Sequence, residues 1–263
     1  MKFCNVNGSL IDSEESFLSL NDLISGYSIK VYELLMCDQL EESVVESFYF
    51  SLMASMRIYR IPIPVSYTLE FFIAETHKLL EANQVGLEKV AVNWTVFLNG
   101  GVSEFSMYLE ELPKDYSVTK SLGELDLFKD GFLGADYISG VPSENQAAFY
   151  VAKGYMNDHQ LQDVLLINHK KEIVQTSNGY LFVRFGDVIK TPAESTGVTR
   201  LTLRNQFIKQ LKDRGVSVEE VSITPFELQR ADECFIYNPL KGVFSVSNYR
   251  KKIYETSFSE TLN

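Results

Sequence analysis

Cysteine is scarce in this chain: Cys4, Cys37 and Cys234 are 3 thiols in 263 residues, far apart and without Cys-x-x-Cys spacing. That excludes a disulfide framework and suggests no metal site of the zinc kind. Reduced thiols fit a cytoplasmic location. Histidine is as sparse, with His77 in a helical stretch and His159 and His169 in turn-rich segments, so no catalytic constellation forms around imidazole. Met1-Lys2-Phe3 leads straight into a strand-like segment with no apolar signal core, and no run approaches the roughly 20 apolar residues of a membrane helix. No membrane partner is expected. Positive charge is also short, with 24 Lys and Arg against 35 Asp and Glu for a net charge of −11. Nucleic acid is therefore excluded as the main partner, since phosphate binding needs clustered basic residues. Arg250, Lys251 and Lys252 form the one dense basic run, read as a solvated strand end. Internal repeats and low-complexity segments are absent.

What remains is an ordinary globular composition, 45% apolar, 13% aromatic and 22% charged. The length allows two modest α/β domains, each with its own core. Asn7-Gly8 between Lys2–Val6 and Ser9–Ile11 is a two-residue hairpin signal. Lys30–Met36 reads as a strand. From Phe48 to about Ile61 the apolar residues Leu52, Met53, Met56 and Tyr59 keep helical spacing until Pro62 and Pro64 end it. A second helix follows from about Thr68, capped by Ser66 or Thr68, and then strands at Lys89–Leu98 and Glu104–Leu112 flank Asn99-Gly100-Gly101. Residues 1–115 are thus expected to form a small N-terminal α/β domain, 116–123 a linker and 124–263 a larger C-terminal α/β domain. In the latter, strands are predicted at Leu125–Lys129, Val164–Asn168, Gly179–Phe185, Cys234–Tyr237 and Gly242–Ser247. Helices are predicted at Gln146–Met156 and from about Thr199 to Arg214, ended by Gly215. Thr224-Pro225 with Glu227 spells a capping box and a short helix.

Several segments in chain order resemble the class IV aminotransferases, the family of branched-chain and D-amino acid aminotransferases and aminodeoxychorismate lyases. Val6-Asn7-Gly8 is similar to the family's opening turn, and Asp22 with Val31-Tyr32-Glu33 to its Asp-Arg-Gly and Gly-Asp-Gly-Val-Phe-Glu segment. Leu52 to Pro64 resembles the stretch that follows. Lys190-Thr191-Pro192 with Gly197-Val198-Thr199-Arg200 is similar to the Thr-Pro and Gly-Ile-Thr-Arg signature, and Ile223 to Asn238 to the segment ending in an Ala-Asp-Glu-Val-Phe strand. The resemblance implies a mixed α/β (α+β) two-domain fold of the D-amino acid aminotransferase type, fold type IV. It implies pyridoxal phosphate as cofactor, and a homodimer or a heteromer with a catalytic homologue.

The same resemblance assigns positions. The Schiff-base lysine, anchored on Asn145, falls on Pro142, with Lys129 thirteen residues before and Lys153 eleven after. The carboxylate that pairs with the pyridine nitrogen falls on Gln175, the following Asn on Tyr180 and the phosphate-binding arginine on Ser51. Losing such a charge-assisted contact costs roughly 1.5–3 kcal/mol of binding. Gly197, Val198 and Thr199 keep the turn that cradles the phosphate, and Tyr32 and Asn238 are candidates for the substrate pocket. Three readings follow: a non-catalytic descendant serving as a binding or partner subunit, an active transaminase or 4-amino-4-deoxychorismate lyase, or a module for a small anionic metabolite.

Overall fold

The computed structural model describes residues 1–14, 29–40, 42–86, 90–143 and 147–262. Asp22 and Asn145, both used in the sequence reading, lie outside the described residues. The chain divides into two units, Met1–Leu112 with Val141–Asn145, and Pro113–Gly140 with Gln146–Asn263.

The first unit carries a five-stranded sheet in the order β2-β1-β5-β4-β3, every pairing antiparallel. Strands β1 (Phe3–Val6) and β2 (Ser9–Asp12) meet at Asn7 and Gly8. Both turn residues have positive φ, 51° and 85°, which matches the twist of the flanking strands and suits glycine at the second position. β3 (Lys30–Met36), β4 (Val90–Asn99) and β5 (Val102–Glu111) complete the sheet.

Two helices cover it. Helix α1 (Glu42–Ile58) begins six residues before Phe48, because Val45 extends the buried row of Phe48, Leu52 and Met56 by one turn. Helix α2 (Leu69–Asn83) is capped by Thr68, whose Oγ1 accepts the Phe71 N–H at 3.2 Å. It buries Phe72, Thr76, Leu79 and Leu80. Trp94 on β4, fully buried, donates its indole N–H to Thr76 Oγ1 at 2.9 Å, and that hydroxyl donates to Phe72 O at 2.8 Å. The polar edge of the largest core side chain is thus satisfied inside the core.

The second unit is built on a nine-stranded sheet in the order β11-β10-β9-β12-β13-β6-β7-β8, with β14 paired to β13. Its strands are β6 (Lys120–Leu127), β7 (Asp163–Ile167), β8 (Ile173–Thr176), β9 (Tyr180–Phe185), β10 (Val188–Pro192), β11 (Ser217–Val221), β12 (Glu233–Asn238), β13 (Gly242–Tyr249) and β14 (Lys252–Ile253). Residues 120–123, expected in a connection, belong to β6, which pairs in parallel with both β13 and β7. The sheet curls until β8 returns towards β9 and β12: Thr176 N–H donates to Gly179 O at 2.9 Å, and the Asn238 amide donates to Asn178 O.

One apolar cluster inside this curl joins Leu125, Leu165, Leu181, Ile223, Cys234 and Val246. On the opposite face α3 (Ala147–His159) packs Ala152 and Tyr155 against Phe128, Val164 and Leu166. Helix α4 (Thr202–Asp213) starts three residues after Thr199, with no side-chain cap. The expected helix after Thr224 is a 3-10 turn, Glu227–Arg230. The Glu227 carboxylate does reach back to the Thr224 N–H at 2.8 Å, but the threonine hydroxyl donates to that carboxylate instead of accepting from the helix, so only half of the capping box forms.

Candidate functional site

In the first unit β3 presents Tyr32 and Glu33, and α1 presents Ser51. Glu33 is fully buried and accepts the Ser51 hydroxyl. The position expected to hold a phosphate-binding arginine therefore carries a short side chain directed at a carboxylate of its own unit. Pro142 is buried, and its carbonyl accepts the Tyr32 N–H at 3.1 Å. A backbone bond thus ties the segment Val141–Ser143 to β3, and the proline ring carries no donor of its own.

In the second unit Gln175, on β8, is 7% exposed. Its Oε1 accepts the Thr199 N–H at 2.9 Å. Gly197 holds φ at 95°, a left-handed value that brings its Cα face onto Gly134; a Cβ there would lie 2.2 Å from Gly134 O. The Gly197 N–H donates to Glu194 O at 3.0 Å and the Arg200 N–H to Gly140 O at 2.8 Å. Three of the four amides from Gly197 to Arg200 are therefore engaged within the unit. They also precede the first turn of α4 and do not share its N-terminal field.

Tyr180 heads β9, is 3% exposed and lies under the Arg204 guanidinium at 5.8 Å. Asn238 spends its side chain on a turn: Oδ1 accepts the Leu240 and Lys241 N–H groups, both at 2.9 Å, and Nδ2 donates to Asn178 O. The Asn238 amide is thus committed to shaping the β12–β13 connection. Lys129 pairs with Asp126 at 3.9 Å, and Lys153 lies 5.8 Å from the Tyr150 ring on an exposed face of α3. No lysine among the described residues is buried. Among the described residues there is also no cluster of metal-binding side chains, and no helix is long and apolar enough to cross a membrane.

Arg204 was not foreseen from the sequence. It is fully buried and donates to Glu220 at 3.1 Å, to Pro192 O at 2.7 Å and to Thr191 Oγ1 at 3.5 Å, while its Nε has no partner. The signal was present: Arg204, Phe207, Ile208 and Leu211 have the spacing of one buried helical face, and a guanidinium on such a face needs a built acceptor set.

The sequence model of the class IV amino-transferase family matches residues 45–249, and the chain belongs to that family. A mitochondrial branched-chain amino acid aminotransferase 1 of Humulus lupulus is 34% identical over 88 residues, 33% of this chain and 22% of the relative. An aminodeoxychorismate lyase of Vibrio harveyi is 24% identical over 110 residues, 42% of this chain and 41% of the relative. The matched stretches thus span about a fifth and two-fifths of those proteins.

Among solved structures, a branched-chain aminotransferase from Thermoproteus uzoniensis with norvaline superposes with a TM-score of 0.81 at 16% identity, over 96% of this chain and 89% of that one. A branched-chain aminotransferase from Thermobaculum terrenum in its PLP form gives 0.78, also at 16% identity, over 96% and 87%. A putative 4-amino-4-deoxychorismate lyase from Legionella pneumophila gives 0.75 at 16%, over 92% and 91%. At such identities the likeness speaks for the fold, and the mixed α+β architecture expected from the sequence is the fold of these enzymes.

Proposed function

We propose that this chain is a class IV aminotransferase-like protein that does not carry out lysine-dependent pyridoxal phosphate chemistry, and that it works as a binding or partner subunit in the cytoplasm. Pro142 carries the proposal. The family mechanism needs an amine that forms a Schiff base with the cofactor and then moves the substrate proton. The residue at that position has no ionisable side chain and is bound through its carbonyl to Tyr32.

Three further observations support the reading. Gln175 brings no charge for a pyridine nitrogen and instead holds the Thr199 amide. Ser51 is turned to Glu33. The described lysines are all partly or fully exposed, whereas a Schiff-base lysine is tuned by a desolvated setting. The residues at the assigned positions therefore do not fit the cofactor. As a subunit the chain would form a homodimer or join a catalytic homologue, with a small anionic metabolite as a further ligand class.

The test uses the purified full-length protein with added pyridoxal phosphate. A bound ligand at a hundred times its Kd stabilises a fold by about 2.7 kcal/mol, so the thermal midpoint reports occupancy directly. The expected result is no saturable shift in the midpoint, and no stoichiometric capture of the cofactor on one lysine after borohydride reduction. A visible absorption band that borohydride abolishes, with one lysine modified in every chain, would establish the competing reading of an active aminotransferase or 4-amino-4-deoxychorismate lyase. That reading draws on the retained Gly197-Val198-Thr199 turn and on the superposition with the PLP form of the Thermobaculum terrenum enzyme. Co-purification of a catalytic homologue from the native source would identify the heteromer.

A further inference from the structure

The second unit contains a pocket of about 310 Å³ that none of the positions at Pro142, Gln175, Tyr180 or Thr199 lines. It opens at one end of the curled sheet, where β6 and β7 begin, β8 turns into β9, and β12 turns into β13. Leu122, Ile236 and Phe244 form its apolar wall. Leu122 and Ile236 belong to the core cluster inside the curl, and Phe244 packs against it. The pocket is therefore the open end of that core.

The polar groups at the rim divide into those already spent and those still available. Asn238 is spent on its turn, and its Nδ2 fixes the β8–β9 turn by donating to Asn178 O. Asp163 is 1% exposed, and its carboxylate accepts Ser177 Oγ at 2.6 Å and the Val164 N–H at 2.8 Å. Its charge is thus answered from inside the protein, and burial pushes its carboxyl up from the ordinary aspartate range.

Gln162 uses Oε1 to accept the Gly123 N–H at 2.8 Å, which leaves its NH₂ donors available. The Ser121 hydroxyl and the Lys241 ammonium lack protein partners among the described residues. A second ammonium stands beside them: Lys120 donates to Lys241 O at 2.7 Å, pairs with Asp115 at 3.3 Å and lies 5.4 Å from the Phe244 ring. In a chain of net charge −11, the Lys241 ammonium, a hydroxyl and an amide donor beside an apolar wall form a local exception. A cation and donors without protein acceptors select an anion, and the wall selects a ligand with an apolar body.

We infer that this pocket binds a small organic carboxylate, its carboxylate held by Lys241, Ser121 and Gln162 and its apolar body set against Leu122, Ile236 and Phe244. The volume stands at the lower end of ligand sites, which run from about 300 to 1,000 Å³. It suits a compact metabolite and is too small for a nucleotide-sized cofactor. The inference uses residues of one unit and is independent of whether the protein binds pyridoxal phosphate.

The experiment titrates the full-length protein, with ¹³C-labelled isoleucine methyls, with three probes of one shape: benzoate, benzamide and benzylamine. Ile236 is the isoleucine of the pocket wall. The expected result is a saturable shift of the Ile236 methyl with benzoate, with affinity at least about tenfold above that of benzamide and no comparable binding of benzylamine. Lys241→Gln removes an exposed ammonium without protein partners, so the fold is retained. It is expected to bring benzoate down to the benzamide level while leaving benzamide unchanged, and Ser121→Ala is expected to weaken benzoate to a smaller degree. An unperturbed Ile236 methyl, benzylamine binding as tightly as benzoate, or undiminished benzoate affinity in both variants would each overturn the inference.

Discussion

The bond from the Thr199 amide to Gln175 is a sensitive point for the functional reading, because it occupies an amide that the family resemblance gives to a phosphate. Gln175→Leu removes the acceptor while keeping the side-chain size. Thr199 is 6% exposed and Gln175 7%, so the orphaned N–H stays buried. Leaving a buried donor unsatisfied costs about 1–3 kcal/mol, which is the expected loss in urea denaturation. Locally, the Thr199 amide should lose about ten- to a hundredfold of its hydrogen-exchange protection, since each 1.4 kcal/mol is a factor of ten. Exchange in a peptide spanning residues 194–203 would measure it. Gln175→Glu supplies the control, because it keeps an oxygen acceptor and adds a buried charge. Burial raises the folded pKa of that carboxyl above its unfolded value, so its stability matches the parent at low pH and falls as the pH rises through the folded pKa. Unchanged Thr199 exchange in the leucine variant would refute the argument, since the amide would then be held by something other than Gln175.

The natural Asp163 should behave in the same direction. Burial raises its carboxyl against the opposing bonds from Ser177, Thr176, Val164 and Asn178, so the stability it contributes is present below the ordinary aspartate pKa, about 3.9, and declines as the pH rises through the higher folded value. The stability of Asp163→Asn relative to the parent should therefore improve with rising pH in paired urea titrations, and a flat difference would contradict this. Gly197→Ala should cost at least about 2 kcal/mol in the same assay, because its φ is 95° and a Cβ would lie 2.2 Å from Gly134 O; an unchanged midpoint would show that the turn relaxes. The buried Cys37 thiol is pushed up to about 12 by desolvation and by Asp38, and burial raises Cys234 as well. Neither should react with a thiol reagent at pH 8 in the folded protein, whereas unfolding should release all 3 cysteines; rapid native labelling of Cys37 would count against the burial of that thiol at the end of β3.

Elements with a local chemical signature were legible in the sequence. Asn7-Gly8 specified a turn that only positive φ values satisfy, and Thr68 specified a cap through one hydroxyl; both appear in the structure. Strand β8 was not legible, because its four residues are all buried and a strand covered on both faces has no alternation to read. Strands β10 and β11 pair in parallel, and no turn chemistry announces a pairing between strands separated by a helix. At the site, Ser51, Pro142, Gln175 and Tyr180 could be assigned to family positions from the resemblance, but their partners could not. Glu33 and Thr199 are 18 and 24 residues away from the groups they bind, so these contacts exist only after the fold has formed. Arg204 and the pocket at the end of the sheet were missed for the same reason: their partners come from different strands.

On the proposed assignment, Ser51 and Gln175 share a physical property. A site shaped around a cofactor holds polar groups whose partners arrive with the ligand, and without it those groups face each other or water at a cost. Here the Ser51 hydroxyl is bound to Glu33 and Gln175 Oε1 to the Thr199 amide, each within its own unit. Among the described residues, the buried side-chain atoms without a partner, Arg204 Nε and Tyr249 OH, belong to neither the turn at Gly197–Thr199 nor the segment at Pro142. A buried polar side chain paired inside its own unit stabilises the unliganded fold, because no polar group is left unmet. An arginine in place of Ser51 would break the bond to Glu33, whereas Gln175→Glu would keep an acceptor for the Thr199 amide.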